Sequence, residues 1–377
     1  MSNNWKDEAW KFIEKKTKLN SERIGCNFPH SVKDKHYQLE NEKWWTAGFW
    51  PGILWRVYLE NKDENLRIIA EACEEKMNHL LSDTESIDHD LGFMWTLTSL
   101  ANYKITKNKQ ARQRALLAAN LLMARFNHNG NYIRAWNPWN ENEDNSGVAI
   151  IDCLMNLPIL YWASEETGDP RFKQVAQKHV EMVLTHFIRN DGSVQHMVIF
   201  DPLTGEVIEK CGGQGFATNS AWSRGCAWAV YGLTLSYKYT QSKEILEAAK
   251  KTAHYFIANA KGEKYPMWDF RVPKDTKVKK YKYPDSSAGA IASCGLLLLS
   301  EYVEDVESSL YSNAGEDILK NLYFECGTIN DMEEEGLINH GTGHFPEQKN
   351  LDVPLIYGDY FFTEGISILN GEKLLFW

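Results

Sequence analysis

The chain lacks any run of about 18 consecutive apolar residues, the length a helix needs to cross a bilayer, so no membrane span is expected. Its opening, MSNNWKDEAWKFIEKK, is amphipathic and charged from the start and does not resemble a signal peptide. Cysteine is scarce: seven in 377 residues, an odd number with no CxxC pair. That argues against a disulfide framework, and Cys153, Cys226 and Cys294, inside apolar segments, read as small core residues in a reducing compartment. A cytoplasmic location is the expectation. Positive charge is in deficit too. A formal net charge of −10 excludes nucleic-acid binding through a basic face. One locally basic segment, residues 274–282 (KDTKVKKYK), reads as a solvated loop.

Other signatures are missing. There is no GxSxG elbow, no P-loop and no dinucleotide fingerprint. His340 and His344 are four apart, but in a Gly-rich loop (HGTGHFPE) without the glutamate of a zinc protease. No metal and no cofactor are expected. No Pro/Gly/Ser-rich linker divides the chain, so residues 1–377 are read as one domain.

What is present is an alternation. Six stretches open with a polar or aromatic cluster and continue as apolar helices rich in small and aromatic residues, beginning near Trp45, Asp90, Asp152, Arg224, Asp285 and Asp359. Between them run amphipathic segments in which an apolar residue is followed four positions later by Ala: Leu66/Ala70, Ala111/Ala115, Phe172/Ala176, Ile245/Ala249 and Leu310/Ala314. Such spacing with Lys and Glu on the other side gives a helix with one wet face. Each pair follows a turn signal such as Asn61-Lys62-Asp63, Gly168-Asp169-Pro170 or Gln241-Ser242-Lys243. With an N-terminal helix over residues 5–17, the chain offers six wet helices and six apolar ones. Their period, roughly 45–75 residues, is too long and uneven for an open solenoid. The expected fold is all-α: an (α/α)6 barrel with six apolar helices inside six amphipathic ones.

Parallel inner helices would open their N-terminal ends on one face, where free N–H groups and the helix dipole welcome anions. Asp285 and Asp359 read there as N-caps. Asp152 is different, because it stands between Val148-Ala149-Ile150-Ile151 and Cys153-Leu154-Met155. A carboxylate in so apolar a setting must be paired, capping or functional, and desolvation would raise its pKa toward that of a usable general acid. Asp90, on the neighbouring inner helix, is its natural partner; two carboxylates in unlike surroundings are the usual sign of an acid and its helper. Trp45, Trp136, Trp222 and Trp228 gather at loops and helix starts, and indoles suit the C–H faces of sugar rings. Arg224 offers a planar fork for a carboxylate, which in an acidic protein suggests an anionic sugar. His196 and Gln214 are loop residues suited to hydroxyl contacts.

At these residues the chain resembles glycoside hydrolase family 88, the unsaturated glucuronyl hydrolases. The likeness runs over nearly the whole length, through WTAGFWPGILW, DHDLGF, RAWNP, IIDCLMNLP, TGDPRF, WSRGCAWAVYG, WDFRVP, DSSAGAIASCGLL and IYGDYFFTE. The resemblance implies a six-hairpin α/α barrel and a substrate left by a polysaccharide lyase: an oligosaccharide ending in a 4-deoxy uronate with a C4=C5 double bond. It implies that Asp152 is the general acid/base that protonates C4 while water adds at C5. Asp90 would position the ring hydroxyls and stabilise developing positive charge. Arg224, Trp228, Gln214, His196 and Trp222 would hold the uronate, and Trp45 and Trp136 would form aromatic walls. Gly212 stands where some members place a hydroxyl side chain, so backbone contacts would serve there. Some members that accept sulfated glycosaminoglycans carry Ser-x-x-Ser-x-Lys before the last helix. Here the stretch is HFPEQK, which keeps only Lys349 and sets Glu347 beside it. Related unsaturated rhamnogalacturonyl hydrolases share the fold and the carboxylate pair and are the alternative. A sugar 2-epimerase would need paired histidines in the barrel, and a non-catalytic sugar-binding protein would not need Asp152. The expected partner is the oligosaccharide substrate, with the protein a monomer or homodimer.

Overall fold

The computed structural model describes residues 4–260, 265–273 and 282–377. Apart from Lys282, the basic segment 274–282 lies outside them.

Outer and inner helices alternate along the chain. Outer α1 (Asn4–Ile24) precedes inner α2 (Phe49–Asn61), and outer α3 (Glu64–Met77) precedes inner α4. Helix α4 is built of Leu91–Trp95 and Ala101–Thr106, joined through a π turn over Thr96–Leu100. Outer α5 (Lys109–Ala124) is followed by a 3-10 turn (Ile151–Met155), inner α6 (Pro158–Thr167) and outer α7 (Pro170–His186). Inner α8 (Ser223–Thr240), outer α9 (Lys243–Ala260), inner α10 (Ser286–Ser300), outer α11 (Asp305–Asn321) and inner α12 (Ile356–Leu369) complete the series. Each inner helix packs on the next, and α12 packs back on α2, so the inner ring closes. The expected all-α barrel of six inner and six outer helices is what the described residues form.

Local chemistry sets the hairpins. At three inner-to-outer corners a residue in the left-handed region ends one helix and the next side chain caps the following one. Lys62 (φ 57°) precedes Asp63, Lys107 (φ 62°) precedes Asn108, and Gly168 (φ 73°) precedes Asp169. Each of these caps accepts a backbone N–H of the first turn, as orphan helix donors require. The inner helices are apolar on all sides because they are covered on all sides: Ser286 through Leu299 of α10 is buried without a break. Small residues let these helices touch. A Cβ on Gly295 would lie 2.8 Å from the Tyr231 Cα of α8.

The end of the barrel away from the inner N-termini is closed by Trp377. Its ring stacks on Phe361 (5.8 Å, 8°) and its indole N–H donates to Glu364, which pairs with fully buried Arg56 at 2.8 Å. At the other end, where the inner helices begin, a cleft opens.

Two expectations need correction. Of the Leu310/Ala314 pair, Leu310 is exposed and Ala314 only partly buried; α11 instead fully buries Tyr311, Gly315 and Leu319, the adjacent stripe with the same four-residue spacing. The chain also contains short strands, which an all-helical reading passes over. They form hairpins β1–β2 (Phe28–Lys33, His36–Glu40) and β3–β4 (Phe126–Asn127, Tyr132–Ile133). A three-stranded antiparallel sheet joins β5 (Val148–Ile150), β6 (Met197–Phe200) and β7 (Val207–Cys211), and β8–β9 (Gly341–His344, Lys349–Val353) is a further hairpin. All are antiparallel, and several rim the open end. Among the described residues no helix is long and apolar enough to cross a membrane.

Candidate active site

A cleft of about 670 Å³ opens where the inner helices begin, and both carboxylates line it. Asp152 sits in the 3-10 turn ahead of α6, two residues beyond β5, so the strand delivers it to the cleft floor. Its Oδ2 is buried without a hydrogen-bond partner, and the Trp228 indole N–H lies close without completing a hydrogen bond. Burial, reinforced by the charge of Asp90, raises the Asp152 carboxyl to about 7, against an opposing pull from Arg224. Asp90 accepts from the Asn156 amide at 3.2 Å, and Asn156 in turn takes the backbone N–H of Phe93 at 2.7 Å. Burial raises Asp90 to about 6, with that amide working against the shift. Gly92 makes this grip possible, because a Cβ there would strike Asn156 at 2.5 Å.

His196 faces Asp152 as a neutral ring. Its Nδ1 accepts the Gln214 backbone N–H at 2.8 Å, and burial, with the nearby Arg224 charge, depresses its pKa to about 3. A neutral ring whose Nδ1 accepts must carry its proton on Nε2. That Nε2 lies 3.6 Å from Asp152 Oδ2, so a donor faces the carboxylate without adding a charge. Gly213 permits the contact: its φ is +56°, and a Cβ would collide with the imidazole at 1.8 Å.

Arg224 is not the free fork its sequence setting suggests. Nη1 donates to Asp285 (2.7 Å) and the Thr342 carbonyl (2.6 Å), while Nη2 donates to Gln214 Oε1 (2.8 Å) and the Gly343 carbonyl (2.6 Å). Its guanidinium lies between the rings of Trp222 (4.6 Å) and Tyr357 (5.2 Å). Arg224 therefore ties α8, α10 and the β8 strand together and presents its charge, rather than its donors, to the cleft. Asp285 and Asp359 are not side-chain caps either. Asp285 is the counter-ion of Arg224, and Asp359 accepts from Tyr37 and from the backbone N–H groups of Leu337 and Ile338.

The tryptophans divide into two groups. Trp45 and Trp136 line the cleft and are part-exposed. Trp222 and Trp228 are buried behind it: Trp222 packs on His196 (4.5 Å) and Trp228 on Phe93 (5.3 Å), so they support the site from below. Gly212 also stays off the cleft surface, whereas its neighbours Gly213 and Gln214 reach it. Lys349 is at the rim, paired with Glu347 at 2.6 Å. Reading the sequence missed His30, Trp44, Trp139, Tyr357 and His344, which also line the cleft. Trp44 lies next to a motif tryptophan and His344 in the Gly-rich loop, but nothing local marks them as cleft residues. Among the described residues no three His, Cys, Asp or Glu side chains are grouped to hold a metal ion.

A helical barrel with an acid-competent carboxylate, a second carboxylate and tryptophan walls at its open end defines a glycoside hydrolase. The chain belongs to glycoside hydrolase family 88, whose model (Glycosyl Hydrolase Family 88) matches residues 20–297. It is 36% identical over 365 residues to the unsaturated glucuronyl hydrolase of Bacillus sp. (strain GL1), covering 96% of each chain. It is 32% identical to the unsaturated chondroitin disaccharide hydrolase of Streptococcus pyogenes serotype M1, over 93% of this chain and 88% of that one. The solved structure of the Bacillus sp. GL1 enzyme, responsible for the degradation of glycosaminoglycan, superposes with a TM-score of 0.91 at 34% identity, covering 97% of each chain.

Proposed function

We propose that this enzyme releases the terminal 4,5-unsaturated uronic acid from lyase-generated glycosaminoglycan oligosaccharides by hydrating the C4=C5 double bond. The observation that carries the reading is Asp152: a buried carboxyl raised to about 7, facing a neutral His196, on the floor of a tryptophan-lined cleft. The alkene is an enol ether. Asp152 gives its proton to C4, and the positive charge that develops at C5 is shared with the ring oxygen. Water adds at C5, and its proton returns to Asp152. The resulting hemiketal opens, breaks the glycosidic bond and frees the sugar as an open-chain keto acid. Asp90, held by Asn156, orients ring hydroxyls and offers negative charge to the cation. The conjugated uronate absorbs in the ultraviolet and the product does not. Loss of that absorbance on unsaturated disaccharides tests the proposal, and an unchanged spectrum over the panel would refute it.

The pKa values set a pH profile. A general acid works while protonated, so kcat/KM should decline as pH rises through about 7 and Asp152 ionises. Asp90 helps while ionised, so kcat/KM should also decline as pH falls through about 6. The expected result is a narrow optimum between these values, measured as kcat/KM against pH. A plateau reaching well above neutrality would remove Asp152 from the acid role.

The rim predicts sulfation preference. Lys349 is exposed and already paired with Glu347, which also lies 3.6 Å from His344 Nε2. An exposed ion pair leaves little attraction for a further anion, so Lys349 should offer a sulfate less than about a fivefold benefit. Unsulfated unsaturated disaccharides are therefore expected to show the higher kcat/KM of matched pairs. A preference for the sulfated member that disappears in Lys349→Ala would reverse this assignment.

A further inference from the structure

Two arginines outside the cleft share a pocket and have no counter-ion. The pocket, of about 430 Å³, lies where the C-terminal end of α5 meets the chain around Ile87 and Pro202, and Arg125 and Arg134 both line it. Its other walls are apolar or uncharged, Ile87, Leu121 and Phe126 among them, and none of the described residues that line it is a carboxylate. The two guanidiniums converge on one neutral oxygen: Asn137 Oδ1 accepts from Arg125 Nη1 at 3.0 Å and from Arg134 Nη2 at 2.7 Å. Arg125 gives its remaining hydrogen bonds to the carbonyls of Ile87, Arg134 and Ala135. Arg134 has no other side-chain partner among the described residues, and its buried Nε finds no acceptor. Neither residue forms an ion pair among the described residues. Burial, with the charge of Arg134 beside it, lowers the Arg125 guanidinium to about 10, even with Asp88 nearby. Two half-buried cations side by side on neutral acceptors repel each other, and a bound anion would relieve that repulsion.

We propose that this pocket binds a tetrahedral dianion of the phosphate or sulfate type. Two planar forks that line one space suit the oxygens of such an ion, and its double charge matches two cations where a carboxylate would match one. The volume is that of a small-molecule site, so the apolar walls leave room for a body attached to the ion. The site is separate from the catalytic one, because no residue lines both the pocket and the cleft. It lies behind the cleft wall all the same. Arg125 holds the carbonyls of Ile87 and Ala135, each a few residues or fewer from a side chain of the wall, Asp90 and Trp136.

The test titrates inorganic phosphate into the full chain at fixed pH, with ionic strength held constant by sodium chloride, and follows the thermal-unfolding midpoint. An ion that binds only the folded state raises that midpoint as its site fills. Phosphate and sulfate should each raise it above chloride and acetate controls. Arg134→Gln should weaken the apparent Kd for phosphate at least about tenfold, the scale of one charge-assisted hydrogen bond. Thr84→Glu keeps both arginines and sets a carboxylate at an exposed edge of the pocket. It should suppress the response too, so the proposal is decided even where Arg134→Gln does not fold. A midpoint that phosphate raises no more than acetate does would overturn the site. So would a response that survives these substitutions, because the ion then sits elsewhere, such as in the cleft beside Arg224. The readout is binding without turnover, so failure of the hydration reaction and failure of this site are told apart.

Discussion

Asp152→Asn should lower kcat by about 10²–10⁴ while leaving the enzyme folded and able to bind sugar. That loss corresponds to about 3–5 kcal/mol of transition-state stabilisation. The amide keeps the shape of the side chain and its place between His196 and Trp228, but it has no proton to give to C4. Stability should move the other way. Burial raises the Asp152 carboxyl from 3.8 to about 7, so the folded chain holds this proton more tightly than the unfolded chain. Between those pH values the folded state binds more protons, and stability falls as pH rises. Asparagine lacks this dependence, so the variant should be the more stable protein at neutral pH. Rates from the ultraviolet assay and midpoints from thermal unfolding check the two halves together. Near-normal kcat in the variant would assign the proton to another group. Equal loss of rate and stability would mean that the residue is merely structural.

Much of the barrel was legible because its signals are local. A helix corner needs a left-handed residue and a capping side chain, and Lys62-Asp63 and Gly168-Asp169 state that in two letters. An inner helix buried on all sides must be apolar on all sides, as the DSSAGAIASCGLL stretch is. Asp152 stood out for the same reason: a carboxylate in an apolar run carries its own anomaly. What could not be read depends on partners distant in sequence. Leu310/Ala314 and Tyr311/Gly315 have the same spacing, and only the neighbouring helices decide which stripe is covered. Trp222 and Trp45 look alike in sequence, yet one lies beneath His196 and the other faces the cleft. The strand β6 that frames the site pairs with β5 about fifty positions earlier, in register Val148 to Ile199.

Arg224 is held by protein acceptors rather than left free at the cleft, and it gives the second large expected effect. The guanidinium is buried and has four protein acceptors, among them Asp285, which is itself completely buried. Arg224→Met strands that carboxylate and two carbonyls, and breaking a buried pair by removing one partner costs about 3–5 kcal/mol. Arg224→Lys keeps the charge, but one ammonium cannot span acceptors on Gln214, Asp285, Thr342 and Gly343. It should lose roughly 1.5–3 kcal/mol, the scale of charged hydrogen bonds. Removing both charges together, Arg224→Met with Asp285→Asn, should recover part of the stability lost in Arg224→Met, because the uncompensated ion is gone. Denaturant midpoints for these three variants measure the clamp directly. The clamp also bears on catalysis, since the Arg224 charge holds the Asp152 carboxyl below the value burial alone would give. The alkaline limb of the pH profile should therefore shift upward in the Arg224→Met/Asp285→Asn double variant and stay near its place in Arg224→Lys. If Arg224→Lys instead keeps full stability and only KM for the uronate rises, the fork leaves its protein partners to grip the substrate, and the clamp assignment fails.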